Sequence, residues 1–168
     1  IELLVVITIV GILGAIALPA LFGQVAKAKE VEAVQTVRYL GDRQKEFYLE
    51  NSHFTESLNE LVSSFPNNPD SSSICFLGAM GFSYQQTQSY CYGVKTVEDS
   101  DSSIVLHIAL ANHADLASHV GVVYLKNADI IPCHPIRIPG CSSESLSTCI
   151  QFLSNIRNDS AGVCSDSK

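Results

Sequence analysis

Six cysteines, five histidines and one isolated acidic side chain near the start are the groups in this 168-residue chain whose type and spacing could do chemistry. Cys75, Cys91, Cys133, Cys141, Cys149 and Cys164 all fall in the second half. An even count without any CxxC pair favours disulfides over zinc or thiol redox chemistry, and it places the folded part in an oxidising, extracytoplasmic compartment. Six cysteines allow about 15 complete pairings, and spacing does not choose among them. The arrangement of lowest contact order joins Cys75 to Cys91, Cys133 to Cys141 and Cys149 to Cys164. The histidines His53, His107, His113, His119 and His134 show no HExxH spacing, and His107 is more simply a strand residue. CxxCH is absent, so covalent haem of the usual c type is excluded. The alternation Asp99, Asp101, Ser103 offers hard oxygen donors to calcium, although acidic serine loops are ordinarily just soluble turns. Asn158, Asp159 and Ser160 form an N-glycosylation tripeptide, a pattern that arises often by chance. No P-loop, Rossmann glycine pattern, GxSxG or kinase motif occurs. No enzyme, no metal site and no cofactor is expected.

Bulk properties point the same way. A chain of this length builds one hydrophobic core, not two plus a membrane span. The net charge of −7 disfavours nucleic acid as a partner, because such a surface repels phosphate backbones. The hydrophobic fraction of 46% is unevenly spread. A dense apolar block opens the chain and a serine-rich polar remainder follows.

That block, IELLVVITIVGILGAIALPALF from Ile1 to Phe22, has Glu2 as its only ionisable side chain. As a helix rising about 1.5 Å per residue it spans roughly 33 Å, enough to cross the hydrocarbon of a bilayer. A secretory signal peptide would instead combine a basic start, a shorter apolar core and a small-residue cleavage site, and the first basic residues here, Lys27 and Lys29, come after the run. A carboxylate at the edge of such a helix needs water or a partner. Glu2 is either interfacial, favoured by the positive end of the helix dipole, or paired with a cation on a neighbouring chain. Gly11 and Gly14 lie near one face, where missing side chains admit other helices. Pro19 predicts a kink or local unwinding, since it removes one backbone hydrogen bond and clashes with the preceding turn.

With its acidic residue, Gly11 and Pro19, this run resembles the N-terminal signature of type IV pilins and of the related type II secretion pseudopilins. The likeness extends more loosely through DRQKEFYLENSHFTESLNEL, Asp42 to Leu61, and LASHVGVVYL, Leu116 to Leu125, looks closest to cyanobacterial-type major pilins. The family's usual mature opening, Phe-Thr-Leu with a methylated N-terminal amine, would fall just before Ile1. The resemblance implies that Glu2 pairs with that amine on an adjacent subunit. It also implies processing by a prepilin peptidase, anchoring in the inner membrane, and export by the pilus assembly machinery into a cell-surface filament of identical subunits. Adhesion, twitching motility and DNA uptake all use such filaments. A secretion pseudopilin and a ligand-binding minor pilin at the tip are the alternatives within the superfamily.

After Phe22 the helix continues but turns amphipathic. Ala33, Val37, Leu40 and Phe47 recur at helical spacing, flanked by Val34, Gly41 and Tyr48, while charged residues cover the rest. Arg38 with Asp42, and Asp42 with Lys45, are spaced as helix-surface ion pairs. Ser57 and Glu60 fit a capping box opening a short helix from Leu58 to Phe65, stopped by Pro66. The turn-rich PNNPDSSS follows. Strand-like alternation then appears at Phe82 and Tyr84; at Tyr90, Tyr92 and Val94; and at Ile104, Leu106, Ile108 and Leu110, while Gly121 to Lys126 supplies another candidate strand. Short strands without intervening helices predict an antiparallel sheet packed on the long helix, an α+β fold. The last third reads as irregular and disulfide-stapled, with one helix near Leu146 to Ile156. The expected division is residues 1–24 as membrane and filament-core helix, and 25–168 as a globular head that includes the second half of the long helix.

Overall fold

The computed structural model describes residues 2–62, 75, 77–99, 102–126, 129–138, 140–142 and 146–158. A single helix, α1 (Glu2–Asn51), runs 50 residues, about 75 Å at the usual rise. It is helical through Pro19, the position where a kink or local unwinding was expected. A proline forfeits only its own N–H bond, and the turns on either side keep theirs. The helix ends where Ser52 takes a left-handed conformation at φ 61° and its N–H bonds back to the Tyr48 carbonyl at 2.8 Å.

The short helix α2 (Leu58–Leu61) packs Leu58 and Leu61 inward. Its location matches the expectation, but its cap chemistry does not. Ser57 makes no side-chain cap bond. Instead, the Thr55 hydroxyl accepts the Ser57 N–H at 3.0 Å and donates to the Glu60 carboxylate. The predicted continuation to Phe65, Pro66 and the serine-rich turn lie outside the described residues.

A 3-10 turn over Gly78–Met80 leads into β1 (Ser83–Gln86), followed by β2 (Tyr90–Asp99), β3 (Ser102–Ala111), β4 (Ser118–Lys126), β5 (Asp129–Pro132) and β6 (Ile136–Ile138). All pairings are antiparallel, in the order β1-β2-β3-β4-β5. β6 joins the same edge of β4 further along, pairing Ser118–Val120 while β5 pairs Val123–Lys126. The hairpin β2–β3 is in register over ten residue pairs, from Tyr90 opposite Ala111 to Asp99 opposite Ser102.

Side chains alternate across a strand, so each strand serves two cores. On one face Ile104, Leu106, Ile108 and Leu110 of β3, with Val120 and Val122 of β4, pack against Leu77, Phe82 and the helix α3 (Leu146–Asn158) through Cys149, Leu153 and Ile156. The other face carries α1. There Ala33 and Val37 meet Tyr90, Tyr92, Ala109, Ala111 and Leu116. Further along, Leu40 joins Val94, Val105, Val123, Ile130 and the two leucines of α2. The expected apolar face of α1 is the one that packs, with one addition. Gln44, one turn beyond Leu40, is fully buried and donates to the Thr55 carbonyl at 3.1 Å, joining α1 to the segment before α2. The predicted pairs of Asp42 with Arg38 and Lys45 do not form; Arg43 pairs with Glu46, three residues on.

Two disulfides are defined. Cys75–Cys91 forms as expected, with Cα atoms 6.1 Å apart. Cys141–Cys149, with Cα atoms 5.0 Å apart, replaces the expected Cys133–Cys141 and Cys149–Cys164 pairs. The reason is topological. The extended β6 carries the chain away between Cys133 and Cys141, whereas the first turn of α3 brings Cys149 back over Cys141. Cys133 is also disulfide-bonded, and Cys164 lies outside the described residues. This α+β architecture, one long helix on an antiparallel sheet, is the one anticipated.

Candidate functional site: an uncovered apolar helix and its seat on the sheet

Among the described residues, nothing covers the first half of α1. Its most apolar 18-residue window has a mean hydropathy of 2.7 and none of it is buried, so by length and composition this helix is able to cross a membrane. Among the described residues, thirteen large apolar side chains between Leu3 and Phe22 are about half exposed or more. Leaving a buried-type side chain in water costs about 1.5–3 kcal/mol each, so together they exceed the entire stability of an ordinary domain. The exposure surrounds the helix instead of following a stripe, which suits lipid or several neighbouring helices at once. A single apolar groove would not satisfy it.

The residues singled out in this half stand apart from the rest of the chain. Glu2 is exposed in the first turn. A Cβ added at Gly11 or Gly14 would meet nothing within 4 Å, so no packing inside the chain requires glycine at either position. Pro19 belongs to the continuous helix. Contacts with the sheet begin at Ala26.

Beyond that point the helix is fastened by chemistry that the sequence pattern did not reveal. The Glu30 carboxylate accepts the Ala117 N–H at 3.1 Å and lies 3.7 Å from Arg137 of β6, tying α1 to the residue before β4 and to the middle of β6. Tyr90 donates its hydroxyl to the Ala117 carbonyl at 3.1 Å, and burial, with Glu30 nearby, pushes its phenol pKa far above the usual range. Burial also pushes Tyr92 up to about 12, so both tyrosines stay neutral donors. Ser118 accepts the Ala111 N–H at 2.9 Å and donates to the Cys141 carbonyl at 2.6 Å, binding the disulfide loop to the sheet.

Two buried histidines also face α1. His119 is held below its ordinary pKa, chiefly by burial, with Glu30 opposing the effect. His107 is completely buried, both ring nitrogens lack partners among the described residues, and burial pushes its pKa down to about 3. It sits opposite Val94 on β2 and Gly121 on β4, between the two apolar clusters beneath α1. A signal for this placement existed. The alternate positions of β3, namely Val105, His107, Ala109 and Ala111, together with Gly121, are small or unusual, as a surface beneath a closely packed helix must be.

Among the described residues no three of histidine, cysteine, aspartate and glutamate converge as metal ligands. The Asp99 and Asp101 side chains of the calcium alternation lie outside the described residues. Asn158 ends α3, while the other two positions of the glycosylation tripeptide also lie outside them.

The type IV pilin-like G and H family matches residues 30–148 of this chain, which takes in the docked half of α1, the whole sheet and the start of α3. Among curated proteins, the type IV major pilin protein PilA of Myxococcus xanthus (strain DK1622) is 38% identical over 61 residues. That alignment covers 36% of this chain and 28% of the relative, so the match spans less than a third of the relative's length. No solved structure matches the chain significantly. A family match over more than half of the sequence, on an apolar helix seated against an antiparallel sheet, places the chain in the type IV pilin-like G and H family.

Proposed function

We propose that this chain is a non-enzymatic structural subunit of a type IV pilus, anchored in the inner membrane before assembly and then packed with identical copies into a helical filament at the cell surface. The observation that carries the proposal is the contrast within α1: apolar all round and uncovered to Phe22, then one-sided and docked from Ala26 onward. In this view residues 1–24 are the membrane and filament-core helix, and residues 25–168 are the head that forms the sheath. The pilus assembly machinery and a prepilin peptidase are its processing partners. Nucleic acid is not a partner of the shaft, given the acidic balance of the chain.

Assembly exchanges lipid contact for helix contact, so the apolar surface never meets water. Gly11 and Gly14 would let neighbouring helices approach closely, and Pro19 would give the bundle a point of local adjustment. Glu2 would pair with the N-terminal amine of an adjacent subunit, satisfying a carboxylate that hydrocarbon would otherwise leave unpaired. The Myxococcus relative is named a major pilin, which favours a shaft subunit over a tip adhesin or a secretion pseudopilin. Electron cryo-microscopy of filaments sheared from cells tests this directly. The chain should repeat along the shaft with its first 22 residues in a central bundle; finding it only at tips, or only in the membrane fraction, refutes the shaft assignment.

A further inference from the structure

On the docked half of α1, charges of opposite sign are sorted onto two separate edges. Lys27 and Lys45 stand 18 residues apart, about five full turns, so they lie on one line along the helix. Glu32 and Glu50 are also 18 residues apart and share a second line, about 140° round the helix from the first. The buried residues Ala33, Val37, Leu40 and Gln44 occupy the remaining side, which faces the sheet. All four charged side chains belong to exposed residues, and none makes an ion pair among the described residues.

The strip between the two edges is partly apolar. Val31, Tyr39 and Leu49 expose 56%, 50% and 69% of their surface there, which is unusual for large apolar side chains on a helix whose other face is fully packed. Beside the basic edge, an open trough of about 470 Å³ lies between α1 and His119 of β4, with Lys27, Val31, Val34 and Gln35 in its lining. The cations lying between Lys27 and Lys45 are already engaged. An Arg38 guanidinium nitrogen lies 3.0 Å from His134 Nδ1, and Arg43 pairs with Glu46.

We propose that this face is a contact between copies of the chain, in which Lys27 and Lys45 of one copy meet Glu32 and Glu50 of the next. The proposal rests on the filament reading and adds to it the partner and the register of this face. Copies drawn from one membrane lie parallel, so matching the two edges requires only a shift along the helix axis. Because both pairs have the same 18-residue spacing, a shift of five residues, about 7.5 Å, brings both ion pairs together at once. Any other shift forms at most one of them. A basic edge against an acidic edge is a head-to-tail contact, so each copy keeps one edge of each sign for a further neighbour, and the contact propagates instead of closing a dimer. Exposed ion pairs add little cohesion but select register, while the apolar half of α1 supplies the cohesion.

The test compares filament yield from cells expressing the parent chain, Lys27→Glu/Lys45→Glu, Glu32→Lys/Glu50→Lys, and the four-site combination. Each two-site reversal sets like charges against each other at both points and should lower the yield about tenfold or more. The four-site variant restores opposite charges with the edges exchanged, so its yield should return to within about twofold of the parent. The substituted positions are exposed, so each purified variant in detergent should unfold at the denaturant concentration of the parent. An unchanged yield in either two-site variant, or a four-site variant no better than the two-site ones, would overturn the pairing and leave the filament reading standing. A parent chain that forms no filaments would overturn both.

Discussion

At Gly121 a single missing side chain sets how closely α1 lies on the sheet, because a Cβ there would come within 2.7 Å of Val37 Cγ1. The obstacle is a β-branched side chain with little rotamer freedom in a helix, so it cannot simply swing aside. Gly121→Ala should therefore destabilise the head by about 1–3 kcal/mol in denaturant titration of the full chain in detergent, and Val37→Ala should be less costly in that background than alone. Additive effects would show that the contact is not what glycine serves. One strand pairing away, His107 carries the complementary lesson in charge. Its folded pKa is pushed down to about 3 from an ordinary 6.5, so on acidification the unfolded chain takes up the proton first. The neutral ring's full contribution is present above about pH 6.5 and is lost progressively as pH falls toward about 3, at roughly 1 kcal/mol per pH unit. The measurement is stability against pH for the parent and for His107→Gln, whose profile should be flatter between about pH 6 and 4. An unchanged slope would mean that other groups set the acid limit.

Among the elements, those with a strong period were legible and those fixed by long-range partners were not. The packing face of α1 was visible because Ala33, Val37 and Leu40 repeat at helical spacing, and all three are buried. β2 and β3 were visible from alternation, and β4 and α3 were placed near Gly121 to Lys126 and Leu146 to Ile156. β5 and β6, of four and three residues, were not, because strands that short hold their shape only by pairing with β4. The Thr55 substitute for a serine cap escaped notice for a similar reason, since competing hydroxyls two residues apart are equivalent until the chain is folded. Disulfide pairing failed at Cys141, which is as near along the chain to Cys133 as to Cys149, so only the helical turn of α3 decided for Cys149. Non-reducing peptide mapping should recover Cys75–Cys91 and Cys141–Cys149 and a third linkage containing Cys133; a Cys133–Cys141 peptide would reverse the topological argument. In the loop-closure account, separations of 16 and 8 residues correspond to about 3 and about 2.5 kcal/mol, so the Cys75→Ala/Cys91→Ala pair should cost slightly more stability than Cys141→Ala/Cys149→Ala. Glu2 could be singled out as an assembly candidate from the sequence, because a lone acid in an apolar run is conspicuous. A cleft at His107, between α1 and the sheet, was not legible, because its lining comes from four separated stretches of chain.

For the molecule as a whole, the two halves of α1 answer to different surroundings, and that division can be tested without a filament. The apolar half is uncovered by any described residue, and contacts with the head start at Ala26 and are secured at Glu30. A chain beginning at Val25 would lose the uncovered surface and keep every described bond between α1 and the sheet. It should be soluble and monomeric without detergent, with the same amide NMR pattern in the sheet and the same disulfides, whereas the full chain should need detergent or lipid. The full-length Glu2→Gln variant supplies the complementary case, since it leaves the head intact and removes only a charge about 1.5 Å per residue along the helix from every head contact. If Glu2 serves assembly, that variant should yield few filaments while its purified protein unfolds at the same denaturant concentration as the parent. Undiminished filament yield would leave Glu2 as an interfacial residue satisfied by water. An aggregated or unfolded truncated head would mean instead that the apolar half stabilises the fold through contacts with neighbouring chains, and that head and helix are one cooperative unit.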